Sequence, residues 1–257
     1  MTSPATFANY PSLVDRVVFI TGGGSGIGAA MVEAFAGNGA QVAFVDIQEA
    51  ASQALCARLQ GARHAPLFLP CDLIDIAALH SAMGEIETRL GPMSVLVNNA
   101  ANDERHDSGA VTPDTWDRAQ NLNLRHQFFA AQAAIPQMRT LGHGSIINFS
   151  SIAWMFGGPR MVAYATAKAA VIGLTNSLAR ENGQYNIRVN ALAPGAVVTE
   201  RQRRLWLSEV DIAAMAERQC IHTSLYADEI ARAALFLAAD DSRMITKQCL
   251  TVDAGMR

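Results

Sequence analysis

Arg16-Val-Val-Phe-Ile-Thr21, then Gly22-Gly-Gly-Ser-Gly-Ile-Gly28, then Ala29-Ala-Met-Val-Glu-Ala-Phe-Ala-Gly-Asn38 is the stretch on which the fold turns. The first segment is an apolar, β-branched run stopped at once by glycine, the pattern of a buried strand. Ile27, Met31, Ala34 and Phe35 then recur on one helical face. Between strand and helix, Gly22, Gly26 and Gly28 allow a tight turn, a close approach to a pyrophosphate and close helix–sheet packing. The helix N-terminus presents free N–H groups to phosphates.

The alternation continues outward. Gln41-Val-Ala-Phe-Val-Asp46 reads as a second strand, followed by a helix over 48–60, a strand over 65–71, a helix over 75–90 and a strand over 94–98. A long helix is expected over 113–138, with Thr112 as its cap and Pro113 in its first turn. Strands over 144–149 and 187–192, a helix running to residue 182, a helix over 228–239 and a last strand over 249–253 complete the pattern. Such a repeat predicts an α/β fold: one Rossmann-type, doubly wound parallel sheet of about seven strands with helices on both faces. The chain shows no internal repeat, low-complexity tract or linker, so a single domain over 1–257 is expected.

Asp46 stands 18 residues after Gly28, where a carboxylate takes the ribose hydroxyls of a dinucleotide. A carboxylate there repels a 2′-phosphate, and Ile47-Gln48-Glu49 brings no arginine, so NAD is expected over NADP. Asp46 also qualifies as a helix N-cap. Asp72 and Leu73, and Asn98 to Ala101, fall at strand C-terminal ends, the edge at which such sheets bind ligands.

Half of the residues are apolar, 17% are charged and the net charge is -3, a composition of a packed globule with no basic footprint for nucleic acid. No apolar run reaches the roughly 18 residues that span a bilayer, and Met1 to Leu13 lacks the pattern of a signal peptide. Cys56, Cys71, Cys220 and Cys249 form no CxxC pair, which suits reduced thiols in a cytoplasmic protein and gives no metal set.

Tyr164 and Lys168 are four apart, one helical turn from each other. A nearby ammonium favours a phenolate, so the pair is suited to proton transfer. Alone the spacing is weak, but Lys168 is one of only two lysines in a chain with 20 Lys+Arg.

Thr21-Gly-x-x-x-Gly-Ile-Gly28, Asp72, Asn98-Asn-Ala, Asn123, Ser151, Tyr164-x-x-x-Lys168 and Pro194-Gly195 stand in one order and spacing. In this the chain resembles the short-chain dehydrogenase/reductase family along essentially its whole length, with Ala101 where that family usually has glycine. The resemblance implies hydride transfer between a carbinol and a nicotinamide cofactor. Tyr164 would take the hydroxyl proton, Lys168 would lower the tyrosine's pKa and hold the nicotinamide ribose, Ser151 would orient the hydroxyl, and Asn123 would hold a relaying water. It implies cofactor contacts at Gly22, Ser25, Gly26, Ile27, Gly28, Asp46, Ile47, Asp72, Leu73, Asn99, Ala100, Ala101, Tyr164, Lys168, Pro194, Gly195, Val197 and Thr199.

Within that family the runs Asn98 to His106, Trp116-Asp117, Asn123 to His126, Asn148 to Trp154, Arg201-Gln202 and Gln219-Cys220 resemble bacterial aldose 1-dehydrogenases acting on D-xylose. A sugar would then meet Ser151 and Tyr164 together with Asn102, Arg105, His106, Asn148, Arg201 and Gln202, and Trp154 would face its C–H side. Residues 200–220 are expected as an irregular substrate lid. The family pattern further implies a homotetramer pairing the helices of 113–138 and 160–182. The alternatives are action on another secondary alcohol or ketone, such as a cyclic alcohol, a sugar acid or a 3-oxoacyl thioester, and a catalytically silent NAD-binding protein.

Overall fold

A computed structural model describes residues 7–257, so the first part of the Met1–Leu13 start lies outside the described residues. Seven strands, β1 (Val17–Thr21), β2 (Gln41–Asp46), β3 (Leu67–Pro70), β4 (Val95–Asn98), β5 (Gly144–Phe149), β6 (Ile187–Pro194) and β7 (Cys249–Val252), form one sheet in the order 3-2-1-4-5-6-7. Every pairing is parallel. Chain order reverses direction between β1 and β4, and a crevice opens at such a switch point beyond the strand C-termini.

Covering both faces explains why the central strands are apolar without alternation. Val18 and Ile20 of β1 pack on one side with Met31, Val32 and Phe35 of α1 (Gly26–Gly37) and Ile230 and Leu235 of α10 (Ala227–Ala238). Val17 and Phe19 pack on the other with Leu79, Met83 and Ile86 of α3 (Ile76–Leu90) and Ala130, Ala134 and Met138 of α5 (His126–Leu141). Helices α2 (Glu49–Arg58) and α7 (Val162–Asn182) complete the layers.

Two expectations are modified. The helix foreseen over 113–138 is α4 (Pro113–Gln120), a π turn (Asn121–Arg125) and α5 in series, the first capped by a Thr112–Thr115 box as expected. Widened turns of this kind occur at functional sites, and this one carries Asn123. Residues 200–220 are not irregular: α8 (Glu200–Leu205) is capped by Thr199 and α9 (Glu209–Glu217) by a Ser208–Asp211 box. Ahead of α7, the short α6 (Ala153–Phe156) fills part of the loop after β5.

Glycines test the packing in opposite directions. A Cβ on Gly28 would lie 1.8 Å from the Gly22 carbonyl oxygen, whereas one on Gly84, mid-way along α3, meets nothing within 4 Å. Gly28→Ala should therefore cost about 1–3 kcal/mol of stability and Gly84→Ala add about 0.5–1 kcal/mol, both read from urea unfolding. Equal effects from the two changes would contradict this packing.

Candidate active site

The glycine loop is held in shape from three strands. Gly22 and Gly26 have φ of +68° and +54°, conformations that other residues rarely adopt. Gly23 and Gly24, which the motif did not single out, are as confined: a Cβ would stand 2.6 Å from Phe44 and 2.4 Å from Ser52 Oγ. Gly24 N–H donates to Asp46 Oδ2 at 2.8 Å, and Gln48 N–H donates to Asp46 Oδ1 at 2.9 Å. Asp46 is thus a tie between the loop and the end of β2. It is not the expected helix cap, because α2 begins after Gln48 and has no side-chain cap. Asn99 closes the other side, donating from Nδ2 to the Thr21 and Gly22 carbonyls at 3.1 and 2.9 Å. Thr21 Oγ1 accepts the Asn99 and Ala100 N–H groups.

Around this cradle Ser25 and Gly26 are exposed, Ile27 is half-buried at the opening of α1, and Ile47 is 71% exposed beside Asp46. Asp72 and Ala101 are exposed and Leu73 is buried. Pro194 ends β6, Gly195 lies where a Cβ would strike Asp253 Cα at 2.7 Å, and Val197 bridges to Leu225. Thr199 Cγ2 stands 3.5 Å from the position of a Gly26 Cβ, so the segment after β6 reaches the glycine loop. A glycine-rich cradle, the free N–H groups at the start of α1 and a carboxylate at the end of β2 fit a dinucleotide.

The end of β5 and helix α7 are cross-tied. Buried Lys168 donates from Nζ to the Phe149 carbonyl at 2.8 Å, and Ser150 Oγ donates to the Lys168 carbonyl at 2.7 Å. Burial pulls the Lys168 ammonium down to about 7. Lys168 Nζ is 5.7 Å from the Tyr164 ring centroid. The expected depression of the tyrosine is not what the protein's own groups produce. Burial, the largest effect, pushes Tyr164 up to about 12, and the Ser151 hydroxyl beside the phenol opposes it only in part. Tyr164 and Ser151 are brought together as expected.

Asn123 is buried, and its side chain is fully used: Oδ1 accepts Asn102 N–H at 2.9 Å while Nδ2 donates to the Asn102 and Ala119 carbonyls at 3.1 and 2.9 Å. It braces the loop after β4. His126, one turn on, was not foreseen as a site residue; it is fully buried with both ring nitrogens unpartnered, and burial, then the Lys168 charge, lowers it to about 3. It therefore stays neutral.

Of the expected sugar contacts, Asn148 is displaced outright. It is fully buried and bonded to Asn98 Nδ2 at 2.9 Å and Thr175 Oγ1 at 3.1 Å, a joint inside the sheet rather than a ligand group. Trp154 donates from Nε1 to Ser150 Oγ at 3.2 Å and lines an open cleft of about 580 Å³ with Thr251, Asp253 and Arg257, apart from Ser151 and Tyr164. Arg105 lies 4.4 Å over the Trp206 ring, and His106 N–H donates to the Arg160 carbonyl at 2.9 Å. Arg201 and Gln202 converge on Asp103, an acid not foreseen as a site residue, and Arg201 also donates to Asn102 Oδ1.

The family model described as Enoyl-(Acyl carrier protein) reductase, a short-chain dehydrogenase model, matches residues 22–257. The chain belongs to the short-chain dehydrogenase/reductase family. It is therefore an oxidoreductase acting on CH–OH groups with a nicotinamide cofactor. It is 52% identical over 257 residues to a protein of Rhizobium meliloti described as "Probable galactose dehydrogenase GalD", covering 100% of both chains. D-xylose 1-dehydrogenase of Caulobacter vibrioides is 44% identical over 97% of this chain and 99% of its own. Among solved structures, a gluconate 5-dehydrogenase of Burkholderia cenocepacia in complex with NADP and tartrate superposes with a TM-score of 0.88 at 33% identity, over 96% of this chain and 97% of that one.

The buried lysine gives a pH signature. Unfolded, Lys168 keeps its proton to about 10.5; folded, it releases it near 7, so between these values the unfolded chain binds more protons and stability rises with pH. Tyr164, raised in the fold, works oppositely only above about 10. Lys168→Met should flatten the rise between about pH 7 and 10 by on the order of a few kcal/mol in urea unfolding. Parallel profiles for the two proteins would rule out a desolvated Lys168.

Proposed function

We propose that this short-chain dehydrogenase is an NAD-dependent aldose 1-dehydrogenase, oxidising the C1 hydroxyl of a cyclic pentose or hexose to the aldonolactone. The observation that carries this reading is the juxtaposition of Ser151 and Tyr164 with a dense polar wall of Asn102, Asp103, Arg201 and Gln202. Full-length similarity to the galactose and D-xylose dehydrogenases supports it.

Ser151 Oγ and Tyr164 Oη would bind the C1 oxygen together and hold the C1–H bond toward the cradle. Bound NAD supplies the hydride acceptor and, through its positively charged ring, favours the phenolate of Tyr164. Lys168, anchored on Phe149 and titrating near neutrality, adds its own charge there and is the group to hold the nicotinamide ribose. The proton that Tyr164 takes from the sugar has to leave the buried pocket. With the Asn123 side chain engaged, the peptide carbonyl of Asn123, which accepts Gln127 Nε2 at 3.2 Å, is the group to hold a relaying water.

NAD is preferred to NADP in this reading because Asp46 stands at the ribose end of the cradle and no lysine or arginine occurs from Ile47 to Ala57. The four free cysteines and the absence, among the described residues, of a helix long and apolar enough to cross a membrane fit a cytoplasmic enzyme. Exposed Phe128 on α5 and Val162 on α7 support pairing of these helices in a homotetramer.

The test is NADH formation across a panel of pentoses and hexoses, repeated with NADP. Turnover with at least one aldose, about tenfold or more in favour of NAD, is expected, and Tyr164→Phe should lose about 100-fold or more in kcat while binding NAD nearly unchanged. No oxidation of any aldose would sink the substrate assignment.

A further inference from the structure

The loop after β4 and helix α8, 98 residues apart in sequence, meet in one closed set of polar contacts. Asp103 Oδ1 accepts from Arg201 Nη1, and Asp103 Oδ2 accepts from Gln202 Nε2 at 2.8 Å. Asn102 Oδ1 accepts from Arg201 Nη2 at 2.7 Å. The Asp103 side chain is 13% exposed and that of Arg201 41%. Both ends of this contact are built in: Asn102 is braced by Asn123, and Thr199 caps the helix that carries Arg201 and Gln202.

The pair sits within electrostatic reach of the reacting oxygen. At the Tyr164 phenol the Asp103 carboxylate raises the pKa and the Arg201 guanidinium lowers it, so their charges oppose each other at that point. Arg160 pairs with Asp107 at 3.2 Å and Arg203 pairs with Glu209, while Arg105, stacked on Trp206, keeps its charge and is matched in number by the adjacent Glu104. The wall therefore has little net charge, yet it keeps hydrogen-bonding capacity. A carboxylate accepts about four hydrogen bonds and Asp103 spends two on these side chains; a guanidinium has five donors and Arg201 uses two. Hydroxyls, which both donate and accept, suit such a surface. An anion would face the Asp103 carboxylate where Arg201 is already paired.

We propose that Asp103 is a specificity-determining residue of this site: by neutralising Arg201 it makes the pocket accept uncharged polyhydroxylated substrates and turn away sugar acids. The inference rests on the aldose reading above and deepens it. Asp103→Asn keeps the shape and one acceptor for Arg201 while exposing the guanidinium charge.

The experiment compares kcat/KM for D-galactose and for D-galacturonate, which differ in a carboxylate, in the parent enzyme, Asp103→Asn, Arg201→Gln and the double variant. The parent should prefer the neutral sugar. Asp103→Asn should lose activity on it and raise the galacturonate-to-galactose ratio about tenfold or more, and the double variant should lose that gain. Arg201→Gln alone, leaving Asp103 uncompensated, should lower the ratio, so the idea stays testable if Asp103→Asn folds poorly. A loosened loop would reduce both activities without moving the ratio. A ratio within twofold of the parent in both single variants would overturn the proposal. Should the parent oxidise no aldose, the aldose reading fails by itself, and calorimetric titration of the NAD-loaded proteins with D-galacturonate decides the charge question: tighter binding by Asp103→Asn supports it, equal binding refutes it.

Discussion

The Lys168 ammonium, buried between α7 and the end of β5 and bonded to the Phe149 carbonyl at 2.8 Å, is the contact on which the rest of the site depends. Removing a cation from water is costly, and the cost appears as a titration brought down to about 7. The return bond from Ser150 Oγ to the Lys168 carbonyl fixes the helix against the strand in the opposite sense. Between them these bonds set where Tyr164 and Ser151 stand relative to the sheet edge, although the two residues are separated by a loop and a short helix. A lysine held in this way has little freedom to be replaced by arginine, whose charge cannot be shed on burial.

A second constraint comes from the other side of the pocket. The π turn at Asn121–Arg125 departs from the α-helical hydrogen-bond pattern, and Asn123 spends its side chain on the loop that follows β4. That loop in turn grips α8 through Asp103. Sheet edge, widened helix, loop and α8 are thereby joined in one chain of contacts near Tyr164. A pocket wall assembled this way is ordered before a substrate arrives, which lowers the entropy lost on binding.

The sheet, the glycine loop and the order of the elements were legible in the sequence because they depend on local pattern: apolar runs, helical spacing and glycine placed between them. Tyr164, Lys168 and Ser151 were legible for the same reason once the cofactor edge upstream was recognised. What escaped was long-range. Asn148 reads as an exposed polar residue at a strand end, yet its partners Asn98 and Thr175 lie on a neighbouring strand and on α7, and these bonds hold it inside the fold. Asp103 looked like one acid in a solvated loop because its partners are 98 and 99 residues away. Nothing in the spacing around Asn123 distinguishes a π turn from an ordinary helix. The direction of the Tyr164 shift was also missed, because a sequence shows a neighbouring lysine but not how completely a phenol is desolvated.

Burial holds Tyr164 in its protonated form, and positive charge brought by the cofactor is needed to release it. Tyrosine labelled with 13C at Cζ, assigned against Tyr164→Phe, allows its titration to be followed directly by NMR with and without NAD. Without NAD, Tyr164 is expected to remain protonated at about pH 11, in keeping with a value of about 12, and NAD should move the transition down by about one unit or more. A phenol that ionises at or below about pH 10 without NAD, or that does not respond to NAD, contradicts the account.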